Sequence, residues 1–241
     1  MSSPAPARVA RTTITRHPVE GDHTHNPCHS RPVPAARPAA GVNSAGPDSA
    51  RPVDVRRIFP VVVPQDHCPV QFTDTGFRAE TATVTLNQKM RCAFTHHSDM
   101  VSVRTVDRLG LGLGELWRRA AMNLIDSAWT SGGTTFFYRN ACALTGQDTC
   151  GLQIASPGGR SVAWLAHPES FTMLSQWAST KLGGDLFWYA PDPRQLVVVP
   201  AAADQTVVHS WARRTVKNAP SQALTDQPMV YSLGFPVPRG W

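Results

Sequence analysis

The sequence predicts an α+β fold: a mostly antiparallel sheet with about three helices packed on it, behind a disordered N-terminal tail over residues 1–55. Three observations predict it. Short β-branched or alternating runs, bounded by Pro, Gly and Asp, recur along the chain, which is the pattern of strands joined by turns. Three longer segments, near 114–129, 168–182 and 203–217, carry apolar residues at helical spacing. Residues 1–52 hold nine of the 21 prolines and no Phe, Trp or Tyr, so they have almost nothing large to bury against chain entropy. Residues 56–241 then read as one domain, or as a β-rich part over 56–108 followed by an α+β part over 109–241.

Order is expected to begin near Ile58. IFPVVVP is apolar but flanked by proline, which suits an edge strand. Asp74-Thr75-Gly76 reads as a turn, and FRAETATVTLNQ alternates as a half-buried strand does. Lys89 to His96 and Met100 to Thr105 read as two more strands. The next helix, about 114 to 129, would bury Leu113, Trp117, Ala120, Ala121, Leu124, Ile125 and Ala128 and stop at Ser131-Gly132-Gly133. TTFFYRN and CGLQIAS read as partner strands. His167-Pro168-Glu169 opens the second helix, with proline in the first turn and an acid at the positive end of the dipole. Its apolar face is Phe171, Leu174, Trp177, Ala178 and Leu182, and Gly183-Gly184 ends it. DLFWYAPDPRQLVVVP reads as a hairpin turning at Pro191 to Arg194. A third helix over about 203–217 would turn Val207, Val208, Trp211 and Thr215 inward. PMVYSLGF closes the set as a last strand, and PVPRGW as a fraying end.

The 241 residues are 41% hydrophobic and carry a net charge of +6. Half of that charge lies in the tail, where six arginines face three acids, so the remainder is nearly neutral for its size. The longest apolar stretches are far short of the ~20 residues that span a bilayer. MSSPAPARVAR lacks the apolar core of a signal peptide. Five cysteines, an odd number without a CxxC pair, fit a reducing compartment, although Cys142 and Cys150 are near enough in sequence to bridge a loop. The expectation is a cytoplasmic protein with no membrane partner.

The sequence names no catalytic residue, no metal site and no cofactor. Gly110-Leu111-Gly112-Leu113-Gly114 precedes a helix, but it lacks the spacing of a dinucleotide or ATPase phosphate loop and reads as a connector. His23, His25, Cys28 and His29 could hold a soft divalent metal, yet they lie in the tail without rigid support. His67, Cys68, Cys92, His96 and His97 lack the close ligand pairs of a zinc site. There is no GxSxG. Arg213, Arg214 and Lys217 read as a solvated helix end, which makes nucleic acid an unlikely partner.

Seven tryptophans are the most notable inventory. Trp164, Trp188 and Trp241, with Phe136, Phe137 and Tyr189, could line an apolar groove, the kind of surface that anchors interfaces. The densest mixture of charge and aromatics is the hairpin, where Asp185, Trp188, Tyr189, Asp192 and Arg194 would face the strand bearing Arg139. Together with Trp164 these are the candidate binding residues.

Residues 114–241 resemble a family of uncharacterised bacterial proteins. The resemblance rests on Ala121-Met122-Asn123-Leu124, on Gly184-Asp185-Leu186-Phe187-Trp188-Tyr189-Ala190-Pro191, and on Leu196-Val197-Val198-Val199. In the family the hairpin turn carries Arg-Asp. Here the turn is Pro191-Asp192-Pro193-Arg194-Gln195, with the acid on the other side of the arginine. The resemblance implies an intracellular α+β domain without an established activity.

The leading expectation is therefore a non-enzymatic module that binds another protein or a second copy of itself. The first alternative is a small-ligand binder or enzyme with its site at the 185–194 hairpin. The second is weak nucleic-acid binding through the tail and the last helix.

Overall fold

A computed structural model describes residues 53–67, 70–72 and 78–239. The expected tail, the His23 to His29 cluster, Cys68, the Asp74 turn and Trp241 lie outside the described residues. In chain order the first half holds β1 (Ile58–Pro64), β2 (Val70–Phe72), β3 (Arg78–Glu80), β4 (Thr83–Thr85), β5 (Met90–His96), β6 (Asp99–Met100), α1 (Val103–Arg108) and α2 (Leu113–Ser127). The second half holds β7 (Trp129–Thr130), β8 (Gly133–Thr134), β9 (Phe137–Asn140), α3 (Cys142–Thr145), β10 (Leu152–Ala155), α4 (Pro168–Leu182), β11 (Leu186–Asp192), β12 (Gln195–Pro200), α5 (Thr206–Asn218), β13 (Met229–Ser232) and β14 (Phe235–Pro238). Every strand pair is antiparallel. The fold class is α+β, as the sequence predicts.

A six-stranded sheet in the order β14-β13-β11-β12-β10-β9 carries the second half. Its centre is the β11–β12 hairpin, whose residues Trp188, Tyr189, Ala190 and Leu196 to Val199 are fully buried. Both faces of these strands are covered, so they read as continuous apolar runs rather than as an alternation. The register sorts their side chains. Trp188 pairs with Val198, and the Trp188 indole meets Phe171 of α4 edge-on at 5.3 Å. Tyr189 pairs with Val197 and Phe187 with Val199, and this face packs against Val208, Trp211 and Ala212 of α5. The sheet is thus held between α4 and α5.

The Tyr189 hydroxyl donates to Gln205 Oε1 at 3.0 Å, just before α5, and Gln205 Nε2 donates to the Ala201 carbonyl. Burial pushes the Tyr189 phenol above its usual pKa, so it stays a neutral donor.

The first half forms a smaller sheet in the order β1-β5-β4, with β6 beside β5. β1 is an edge strand, consistent with its prolines. α2 packs on β1, and Asn123 Nδ2 donates to the Val55 and Ile58 carbonyls, both at 2.8 Å, pinning the start of that strand. Asn87, in the β4–β5 turn, donates from Nδ2 to the Pro236 carbonyl of β14 at 2.7 Å. The small sheet thereby caps the edge of the large one.

Several local expectations are corrected. Met100 to Thr105 is not a strand: the β5–β6 ladder stops at Met100, a single bridge joins Ser102 to Thr81, and the Ser102 side chain accepts the Thr105 N–H as the N-cap of α1. The β-branched VRTV run reads as a strand, but a cap and burial of Val106 make it a helix. Gly110 to Gly112 therefore links two helices, and Gly114 lies in the first turn of α2. The alternating run from Arg78 breaks into β3 and β4. In α2 the inward residues are Leu116, Ala120, Ala121, Leu124 and Ile125, while Leu113 is exposed at the first turn. α5 starts three residues later than expected. Phe235–Pro238 is an edge strand rather than a fraying end, because at the edge of a sheet the N–H that proline lacks breaks no ladder.

Among the described residues no helix is long and apolar enough to cross a membrane.

Removing the Tyr189 hydroxyl leaves Gln205 Oε1 buried without its donor. Tyr189→Phe is expected to destabilise the fold by about 1–3 kcal/mol, read as a lower urea midpoint at unchanged m-value.

Candidate functional site

The candidate residues of the hairpin do not converge. Asp185 precedes β11 and Arg194 lies in the turn beyond its far end, so a seven-residue strand separates them by on the order of 20 Å. Asp192 Oδ1 accepts the Arg194 N–H at 2.7 Å, which is a turn-forming contact. Arg139 is exposed on β9, opposite Gln153 of β10, and its Nε donates to Gln153 Oε1. Trp164, Trp188 and Tyr189 are core. Trp164 meets Phe136 edge-on at 4.6 Å, and Phe136 lies 5.2 Å from Trp177. These rings pack on one another inside the protein, so the expected aromatic groove is not a surface. Phe137 alone of its described members is exposed.

Cys92, Cys142 and Cys150 are free thiols, and burial raises the Cys92 thiol far above its usual pKa. His96 and His97 pack edge to face at 4.4 Å, and His96 Nε2 accepts the Asp54 N–H. No cluster of three metal-ligating side chains exists among the described residues. On α5, Arg213 Nε lies 4.0 Å from Asp226 Oδ2.

The side chains that do come together surround the β13–β14 hairpin. Its two-residue turn is Leu233-Gly234, flanked by the paired Ser232 and Phe235. Both turn residues have positive φ, 49° and 87°. That sign pair belongs to the type I′ turn, which suits the twist of a hairpin but favours Asn-Gly. Gly234 is obligatory for a second reason: a Cβ there would lie 2.6 Å from Pro168 Cβ. The tip is therefore seated against the start of α4. Phe235 lies 6.3 Å from Trp117, Tyr231 lies 5.3 Å from Phe171, and the Tyr231 and Thr172 hydroxyls bond at 2.9 Å. On this rigid mount Leu233 points outward, 89% exposed.

His167 holds the seat in place. Its Nδ1 accepts the Glu169 N–H as the N-cap of α4, and its ring meets Trp117 edge-on at 4.7 Å. Trp117 Nε1 in turn donates to the Ala166 carbonyl at 2.7 Å. Burial holds the His167 pKa below its ordinary 6.5, opposed by nearby Glu169 and reinforced by Arg118. On α2, Glu115 accepts from both Arg118 and Arg119, and these bonds lower its carboxyl to about 2.

Beside the same hairpin the sheet opens. β11 and β13 share a single pair, Trp188 with Met229. Towards the start of β11 the strands part and leave a cleft of about 370 Å³ between Leu186-Phe187 and Val230-Tyr231. Ser175 and Ser179 of α4, Asp185 and Arg239 complete its walls. Sequence reasoning found Asp185 and Trp188 but missed Ser175, Ser179, Arg239 and Leu233. Only the Leu-Gly pair between two apolar runs gives a local signal.

No family model, curated protein or solved structure matches the chain.

A histidine with a depressed folded-state pKa loses stability as pH falls below its unfolded value, because the unfolded chain takes up the proton first. Thermal midpoints measured from pH 7.5 down should therefore fall below pH 6.5 in part through His167. His167→Asn keeps a capping side chain without a titrating group, and its midpoint is expected to fall less steeply over that window.

Proposed function

We propose that this protein is a non-enzymatic binding module that docks another protein through the tip of the β13–β14 hairpin. One observation carries the reading: Leu233 is both strained and exposed. A leucine in the left-handed region costs about 1–2 kcal/mol over a residue suited to it. Its side chain, 89% exposed, recovers nothing by burial within the chain. Asn or Asp at this position would serve the turn better. Single exposed apolar residues are ordinary on protein surfaces. A single exposed apolar residue that also strains its own backbone is not, and such strain clusters at functional positions.

The mount supports the same reading. Gly234 against Pro168, Tyr231 on Phe171 and the Tyr231–Thr172 bond fix the tip before any partner arrives. A fixed knob loses little freedom on docking, which favours affinity. The partner is a protein that presents an apolar socket to receive one leucine side chain. Self-association would need that socket on the same chain.

The test separates stability from binding. Leu233→Asn is expected to raise the thermal midpoint, since Asn-Gly is a preferred type I′ pair. The same change is expected to remove the partner that the wild-type chain retains in stringent pull-downs. Retention of an identical set of proteins by both chains would sink the reading. Light scattering of the wild type tells a foreign partner from a second copy.

A further inference from the structure

We infer that the cleft where β11 and β13 part binds a small zwitterion of the amino-acid type, independently of the hairpin tip. The opening follows from the fold: one residue pair joins the two strands, and on the N-terminal side of Trp188 the ladder ends. The backbone edges of Leu186-Phe187 and Val230-Tyr231 therefore border the cleft instead of each other. Backbone groups at such an opening are available to a ligand, as at other sites where a sheet divides.

The side chains around it are complementary to a molecule with two opposite charges. Asp185 and Arg239 both line the cleft. Neither side chain has an ion pair or hydrogen bond among the described residues, so each keeps its charge unspent. The Arg239 guanidinium rests 5.9 Å from the Phe187 ring, which orients it without neutralising it. An arginine fork suits a carboxylate, and a lone carboxylate suits an ammonium group. Ser175 and Ser179, one turn apart on α4, add two hydroxyls that make no side-chain hydrogen bond to the described residues. Phe187 and Val230 supply an apolar wall. The Trp188 indole N–H, on the floor, is buried without an acceptor. A volume of about 370 Å³ is at the lower end of small-molecule sites and suits an amino acid rather than a nucleotide.

Asp185 thus lies at the opposite end of β11 from Asp192 and Arg194, and it shares the cleft with Arg239.

The experiment uses the full chain. Thermal shift is measured with each standard L-amino acid at millimolar concentration, followed by calorimetric titration of any that stabilise. A raised midpoint with at least one amino acid is expected. The matching amine without the carboxylate, and the matching acid without the amine, should bind at least ~10-fold more weakly. Asp185→Asn and Arg239→Gln, both at exposed positions, should each weaken binding by a similar factor, while Arg194→Gln leaves it unchanged. The inference is overturned by no shift with any amino acid, by equal binding of the amine or the acid alone, or by wild-type affinity in both cleft variants.

Discussion

The structure depends on the burial of one hairpin from both sides. β11 and β12 present Trp188 and Val198 to α4, and Tyr189, Val197 and Val199 to α5. The pleat makes this sorting compulsory, because a slip of one residue would exchange every side chain between faces. The two faces also differ in kind. Trp188 meets an aromatic ring, while Tyr189 brings a hydroxyl that must find Gln205. Only one register satisfies both. The two helices cannot bury their apolar stripes without this hairpin, and β10 and β13 have no template without it.

Much of this was legible in the sequence, for identifiable reasons. The hairpin is legible because two unbroken apolar runs, Leu186 to Ala190 and Leu196 to Val199, on either side of a Pro-Asp-Pro turn have few other uses. α4 is legible because Pro168 and Gly183 mark its ends and Phe171, Leu174 and Trp177 keep helical spacing. α1 is not, because β-branched residues favour a strand locally and its cap is a single Ser102. β14 is not, because Pro236 and Pro238 argue against any strand unless its position at the sheet edge is known. Both misses turn on tertiary placement, which local pattern does not carry.

The site was less legible than the fold. Aromatic residues near charges suggest a surface, yet Trp164, Trp188 and Tyr189 are the largest of the fully buried side chains. Their abundance reports the demands of a core covered on two faces. The informative positions are less conspicuous. Leu233 stands out once its backbone angle is known, and Ser175 and Ser179 of α4, Asp185 just before β11 and Arg239 just after β14 line one opening. Glycine acts twice here. Gly183 and Gly184, both with positive φ, reverse the chain so that Asp185 enters the cleft, and Gly234 lets the hairpin touch Pro168.

The bond from Asn87 to the Pro236 carbonyl joins residues 149 apart in sequence. It belongs to a topology dominated by non-local pairing, which is slow to form because long loops must close before they are rewarded. Until β14 arrives, β13 offers an unpaired strand edge, and exposed edges recruit other chains. During synthesis, then, residues 235–238 must emerge before β13 gains its outer partner. Expression at low temperature or with a chaperone that shields strand edges should improve soluble yield more than any change to the surface.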